Sequence, residues 1–129
     1  MLRLIVGGFL IAHGLVHLAI WLPQALAAAL PEGAPFDAGH SWLLSNAAGD
    51  GARLVAAGIA VIAAAGLAGA GAGYLAGQDW WRLLALGGAG ASLALLFLYW
   101  NLWLSIAVLI DAAIIGYVVM FASSTAAEA

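Results

Sequence analysis

The sequence contains no cysteine and no lysine. Without cysteine the chain forms no disulfide, iron–sulfur cluster or cysteine-ligated zinc site. Its cationic side chains are Arg3, Arg53 and Arg82, which are too few for the basic surface that nucleic acid requires. Charged residues make up 7% of the chain, against about 25% in soluble domains. Most of the surface must therefore face lipid rather than water.

Long apolar runs dominate what is present, and 67% of the residues are hydrophobic. Four segments have about the length that crosses the hydrocarbon of a bilayer. They cover residues 2–22, 52–75, 80–100 and 102–122, and a short polar tail follows at 123–129. Backbone polar groups in lipid must bond within their own segment, and strand-like alternation is absent, so each segment is expected to be helical. The sequence therefore predicts an all-α polytopic integral membrane protein, a four-transmembrane-helix bundle that forms a single domain over residues 1–122.

The connections between these segments differ in length. A few residues after Gly77 join the second and third segments, and little more than Asn101 joins the third and fourth. Connections this short make both pairs antiparallel neighbours. The first connection, residues 23–51, is long and contains all three prolines. We therefore expect one long loop at one end of the bundle and tight turns elsewhere.

The arginines indicate the orientation of the bundle. Arg3 and Arg82 fall at one predicted end, and Arg53 falls at the other. The positive-inside rule places the end with more arginines in the cytoplasm. The expectation is a multi-pass protein of the cell (inner) membrane, with both termini cytoplasmic and a long extracytoplasmic first loop.

The first apolar segment has a second interpretation, as a secretory signal. Arg3 would form its basic start, and Ala25-Leu26-Ala27 offers a small-residue cleavage site. However, the apolar run is longer than the usual signal core of about 7–15 residues, and histidines interrupt it. A retained membrane helix is therefore favoured.

Two histidines lie inside this segment, where an ionisable side chain is costly and marks a candidate functional site. His13 and His17 are four residues apart, so they share one helix face. At about 1.5 Å per residue, the distance from Arg3 places His13 near the bilayer centre. His17 lies one turn closer to the first loop. Asp111, the acidic residue inside the fourth segment, falls at a similar depth, so it can meet His13 if both side chains face the interior of the bundle.

Two further polar residues are predicted on the same half of the membrane. Arg53 opens the second segment there, and the first loop supplies His40. Together with His13, His17 and Asp111 they form a candidate site that binds a small ligand or handles protons. Histidine suits such a site because its pKa of about 6.5 allows proton exchange near neutrality.

Two other interpretations of these residues stay open. In the first, a His–Asp hydrogen bond only holds helices together, as interhelical hydrogen bonds do in membranes. In the second, His13 and His17 bind a divalent metal, with Asp111 or His40 as a third ligand. Haem is disfavoured, because two histidines one turn apart on a helix cannot ligate opposite faces of one iron.

Glycines recur in the second segment at a spacing that allows helices to approach closely. Gly69, Gly73 and Gly77 are each four residues apart. One interpretation is packing of the second segment against the third within the chain. The other is a homo-oligomer, or a larger membrane complex, built through this glycine face. The lipid bilayer is the other partner that the composition predicts.

A family resemblance rests on the opening residues RLIVGGFLIAHGLVHL, in which an arginine is followed by glycines and then by a His-Gly pair. They resemble the first helix of DoxX-like small membrane proteins. The resemblance covers this helix and the helix count, and it implies a four-helix membrane protein; some members of that family are linked to membrane redox systems. DoxX-like proteins often carry an acidic residue in the second helix, where this chain has Arg53 and no internal acid. No functional residue is therefore carried over.

These patterns favour a non-enzymatic role. The expected protein is a membrane-embedded subunit or a transporter-like protein, with its polar site in the outer half of the bilayer. One alternative is a metal-binding or redox membrane enzyme using His13, His17 and His40. Another is a purely structural accessory subunit of a membrane complex. The rotational setting of the first helix decides among them, because it determines what the histidines contact.

Overall fold

The computed structural model describes residues 1–27, 32–44 and 49–127, with side chains up to residue 120. Within these residues the chain is helical and contains no strand. The helices are α1 (Leu2–Leu26), α2 (Asp50–Ala76), α3 (Trp81–Leu98) and α4 (Ser105–Ala127), with a short 3-10 turn at Leu102–Leu104 before α4. All four are long and apolar enough to cross a membrane, which confirms the predicted four-helix, all-α architecture.

The helices pack in the order of the chain: α1 lies against α2, α2 against α3, and α3 against α4. One end of the bundle, here called the loop end, carries the α1–α2 loop and residues 99–104. The opposite end, here called the turn end, carries Met1 and the turn at residues 77–80. Two apolar cores form, one towards each end. The functional candidates lie between these cores.

Glycines set the distance between neighbouring helices. A Cβ added to Gly88 would lie 2.7 Å from the backbone nitrogen of Leu67, and one added to Gly66 would lie 2.7 Å from Cα of Gly88. On the other side of α2, a Cβ on Gly14 would lie 2.9 Å from the Ala64 carbonyl oxygen. Both crossings therefore bring backbone against backbone, as small residues allow. This close approach carries α1 and α3 to the two flanks of α2.

The glycines predicted to form an interface pack against other residues of the same chain. A Cβ on Gly69 would meet Leu84 of α3, and one on Gly73 would meet the ring of Trp80. Gly77 ends α2 with a positive φ of 72°, and its amide bonds back to the carbonyl of Tyr74. Gly69 and Gly73 therefore serve the contact of α2 with α3 and with the turn that precedes it, whereas Gly77 lies beside Arg3 of α1.

The α1–α2 loop is fastened to the end of α3. The hydroxyl of Ser41 donates to the Leu98 carbonyl oxygen at 2.6 Å. The indole N–H of Trp42 donates to the Phe97 carbonyl oxygen, also at 2.6 Å. These bonds satisfy carbonyls that the last turn of a helix leaves without an intrahelical partner. Phe36 adds an aromatic contact, with its ring centroid 4.5 Å from that of Trp21. The loop therefore covers the loop end.

Two helix ends differ from the sequence-based expectation. The first helix was expected to end at residue 22, yet α1 continues to Leu26 with Pro23 inside it. Trp21 and Ala25 lie one turn apart and are both buried in the loop-end core, and this packing outweighs the backbone hydrogen bond that proline removes. The fourth helix runs past residue 122 to Ala127, so most of the expected polar tail is helical.

Candidate functional site

Four polar side chains from three helices meet between the two apolar cores. His13 and His17 come from α1, Ser92 from α3 and Asp111 from α4. Their exposed fractions are 8%, 4%, 0% and 0%, respectively. This buried polar cluster joins α1 and α4, the first and fourth helices of the bundle, through α3.

The cluster is linked by consecutive hydrogen bonds. Nε2 of His13 lies 3.0 Å from Oδ1 of Asp111. The other carboxyl oxygen of Asp111 bonds to the hydroxyl of Ser92, and that hydroxyl lies 2.6 Å from Nε2 of His17. His17 closes the loop through Nδ1, which lies 3.0 Å from the backbone carbonyl oxygen of His13. The network therefore returns to the residue from which it starts.

The donors and acceptors of this network restrict where its protons lie. A carbonyl oxygen only accepts, so Nδ1 of His17 must carry a proton and donate it to His13. The hydroxyl of Ser92 has one proton but contacts both Nε2 of His17 and Oδ2 of Asp111. One of these two partners must therefore donate to Ser92.

Two arrangements satisfy every bond and leave the cluster without net charge. In the first, Asp111 is a neutral acid that donates to Ser92, and Ser92 donates to Nε2 of a neutral His17. In the second, His17 is a cation that donates to Ser92, and Ser92 donates to an Asp111 carboxylate. In both, His13 donates from Nε2 to Asp111. The two arrangements contain the same number of protons and have zero net charge, which suits a buried group of this kind because an uncompensated charge is costly there.

His13 keeps one nitrogen outside the network. With Nε2 bonded to Asp111, its Nδ1 has no hydrogen-bond partner among the described residues. The ring of Phe9, one turn earlier on α1, stacks parallel to that of His13 at 5.8 Å between centroids. The stacking and the Asp111 bond together hold the imidazole in one orientation.

Ser92 belongs to the cluster although it is not among the site residues predicted from the sequence. It bridges His17 and Asp111. A signal was present in its spacing: Ala85, Gly88 and Ser92 recur every three or four residues and are all buried on one face of α3. A hydroxyl that continues a row of small residues faces a neighbouring helix rather than lipid.

Arg53 and His40 lie apart from the cluster. Arg53 donates from Nη1 to the Ala27 carbonyl oxygen at 2.6 Å and crowds Gly39 of the loop. The side chain of His40 is exposed. Neither residue bonds to a cluster member within the described parts of the chain. Of the five predicted site residues, the structure thus brings together His13, His17 and Asp111.

A groove leads from the surface to the cluster. It has a volume of about 480 Å³ and lies between α1 and α4 at the loop-end half of the bundle. His13, His17 and Trp21 line its α1 side, and Trp103, Ile106 and Ile110 line the opposite side. We call it the α1–α4 groove. Its size falls within the usual range of small-molecule sites, about 300–1,000 Å³.

The seam between α1 and α4 continues towards the turn end as a second cavity of about 310 Å³. Ile110 lines both cavities. The second one is walled by apolar and aromatic side chains such as Phe9, Trp81 and Ile114. The His13–Asp111 bond thus spans a seam that α1 and α4 leave open on both sides of it.

The predicted metal ligands also meet in this cluster. One ligand atom each from His13, His17 and Asp111 lie within 4.8 Å of one another. Tetrahedral zinc, with bonds of about 2 Å, would need ligand atoms roughly 3.3 Å apart. Ser92 already bridges His17 and Asp111. The geometry therefore fits the hydrogen-bonded network more closely than a metal centre.

Comparisons with known proteins add no family to this description. No protein-family model matches the chain, and neither a curated protein nor a solved structure matches it. The functional argument therefore rests on the geometry of the cluster and of the α1–α4 groove.

Proposed function

We propose that the chain is a multi-pass protein of the cell (inner) membrane, with cytoplasmic termini, whose outer-half polar cluster handles protons. It would act as a membrane-embedded subunit or a transporter-like protein. The observation that carries the proposal is the closed network through His13, Asp111, Ser92 and His17. At zero net charge, its bonds are all satisfied only when one proton is shared between Asp111 and His17.

The proton has a direct path between these two groups. When Oδ2 of Asp111 passes its proton to the Ser92 oxygen, the original hydroxyl proton of Ser92 passes to Nε2 of His17. The neutral pair then becomes an ion pair, and the reverse transfer restores it. No side chain has to move, because the same contacts serve both arrangements. The cluster can therefore relocate a proton between α4 and α1 while its net charge stays zero.

Access to the cluster supports proton handling over a purely structural role. A hydrogen bond that only fastens helices needs no opening, yet the α1–α4 groove reaches both histidines. Ionisable residues in membrane helices that line such openings mark proton and substrate paths. The loop end, where the groove lies, is the end assigned to the outer side by the arginines Arg3 and Arg82 at the turn end.

The test measures the protonation of both ends of the relay in the same sample. Full-length protein in lipid nanodiscs is labelled with ¹⁵N-histidine, and the carboxyl vibration of Asp111 is assigned by infrared difference against Asp111→Asn. We expect one protonated partner at a time: an acid band of Asp111 with a neutral His17, or a carboxylate with a His17 cation. His40→Ala, which changes a side chain outside the cluster, should leave both signals unchanged.

One result would overturn the proposal. If Asp111 is a carboxylate and His17 is neutral at the same pH, the shared proton is absent and the relay cannot operate. Ser92→Ala gives a second criterion. Without the bridging hydroxyl, the protonation of Asp111 and that of His17 should vary with pH independently, and continued coupling would count against a path through Ser92.

A further inference from the structure

The α1–α4 groove contains one polar position that the network does not use. Both ring nitrogens of His17 are bonded, through Nδ1 to His13 and through Nε2 to Ser92. On His13 only Nε2 is bonded, and Nδ1 is left without a partner among the described residues although the side chain is more than nine-tenths buried. The free position is therefore Nδ1 of His13, a residue that lines the groove.

The network determines the chemistry of that nitrogen. In both proton arrangements described above, His13 holds its proton on Nε2 and donates it to Asp111. Nδ1 then carries a lone pair and no proton, so it accepts a hydrogen bond. A group that satisfies it must be a donor, and an uncharged donor such as a hydroxyl avoids the cost of burying a second charge.

The other residues that line the α1–α4 groove determine the shape and polarity of the rest of the ligand. Apart from the two histidines, the groove is lined by aliphatic and tryptophan side chains, including Val16, Ile20 and Leu96. Its rim is exposed, since Ile106 and Trp103 are 71% and 54% exposed. The seam continues past Ile110 into the second apolar cavity. An elongated apolar body lying along α1 and α4 fits this shape.

We infer that the α1–α4 groove binds an uncharged amphiphile whose hydroxyl or phenol group donates a hydrogen bond to Nδ1 of His13, with its apolar chain lying along the seam between α1 and α4. The inference rests on the proposed function, because the proton arrangements of the relay are what leave Nδ1 of His13 without a proton. It goes beyond that function because it assigns a ligand class and an entry path from the side of the bundle. The ligand would contact the relay through the His13–Asp111 bond.

The experiment uses a probe pair that differs in one hydrogen-bond donor. Para-dodecylphenol and its methyl ether are titrated into ¹⁵N-histidine-labelled full-length protein in nanodiscs. We expect the phenol to shift the Nδ1 signal of His13 saturably. The ether should bind about tenfold more weakly, as expected for the loss of one buried hydrogen bond.

Two variants on the exposed face of α4 locate the site without altering the network. Ile106 lines the groove and Leu109 does not, although they are 71% and 70% exposed. Ile106→Trp should narrow the groove and weaken phenol binding about tenfold or more, whereas Leu109→Trp should leave it unchanged. Equal effects of the two variants would overturn the inference.

The remaining outcomes separate this inference from the proton relay. Equal affinity for the phenol and the ether, or shifts that never saturate, would mean that only the apolar chain partitions beside the protein and would refute the hydroxyl site. The relay would still stand if Asp111 and His17 share their proton in the same samples. A relay that fails while the phenol binds saturably would refute the proposed function and leave the groove as a binding site.

Discussion

Nε2 of His17 lies 2.6 Å from the hydroxyl oxygen of Ser92, across 75 positions of the sequence. This contact joins α1 to α3, one helical turn after Gly88. It also places Ser92 between a histidine and a buried carboxyl group. Through this contact, His17 and Asp111 are joined by one continuous path of hydrogen bonds.

Ser92→Ala should lower the free energy of unfolding by about 1–3 kcal/mol, because Nε2 of His17 and Oδ2 of Asp111 lose their common partner while they stay buried. The measurement is reversible unfolding in mixed micelles, followed by helical circular dichroism. The control moves the hydroxyl by one residue: Ala91→Ser combined with Ser92→Ala should not restore stability. Restoration would mean that the hydroxyl acts without the specific bridge.

Gly88→Ala should destabilise the bundle by about 1–3 kcal/mol, because the new methyl group would lie 2.7 Å from the backbone nitrogen of Leu67 and force α2 and α3 apart. The matched control is the neighbouring Gly87→Ala. Nothing lies within 4 Å of a Cβ at that position, so this variant should be neutral or slightly stabilising. The same unfolding assay compares the two variants, and equal stabilities would contradict the backbone crossing described here.

Ser41→Ala should release the α1–α2 loop from α3. Its hydroxyl bonds to the Leu98 carbonyl and accepts the amide of Leu44, so we expect a loss of about 1–2 kcal/mol and faster hydrogen exchange in the loop. His40→Ala, one residue earlier and exposed, serves as the control and should change neither quantity. Unchanged exchange in the Ser41 variant would show that the Trp42 hydrogen bond and the Phe36 contact hold the loop without Ser41.

Alkaline pH should weaken the loop end through Tyr99. Burial raises the pKa of Tyr99 above its ordinary value, and its hydroxyl donates to the Ala52 carbonyl. The folded state therefore favours the protonated phenol. Its contribution is fully present below the unfolded-state pKa of about 10 and is lost as pH rises through the higher folded-state value. Unfolding measured across this range should show a downward slope that Tyr99→Phe reduces; an unchanged slope in that variant would assign it elsewhere.

Metal removal should leave the cluster unchanged. The polar atoms of His13, His17 and Asp111 that could bind a metal already bond to one another, directly or through Ser92. Chelator treatment of protein purified in mild detergent should therefore alter neither the histidine ¹⁵N signals nor the thermal midpoint. A stoichiometric divalent metal in the purified protein, lost together with stability on chelation, would favour the metal interpretation instead.

Hydropathy and depth predict much of this structure. The four apolar helices follow from composition and segment length. The number of residues from each helix end places His13 and Asp111 at a similar depth, which allows the contact that they make. Ser92 was not predictable in the same way, because a single hydroxyl hardly changes hydropathy and its role depends on how α3 is rotated. The end of the first helix was predicted four residues too early, at residue 22. Burial of Trp21 and Ala25 keeps the backbone helical past Pro23, and this packing could not be read from the sequence.

The location of Asp111 in the fourth helix has a consequence for the order of assembly. A chain that has inserted only α1, α2 and α3 contains both histidines and Ser92 but lacks the carboxyl group to which His13 and Ser92 bond. At that stage Nε2 of His13 would lack its carboxyl partner, which is unfavourable in hydrocarbon. Arrival of α4 removes this penalty in one step. The bonds of His13 and Ser92 to Asp111 therefore favour insertion of α4 beside the first three helices during biogenesis, whatever the function of the site.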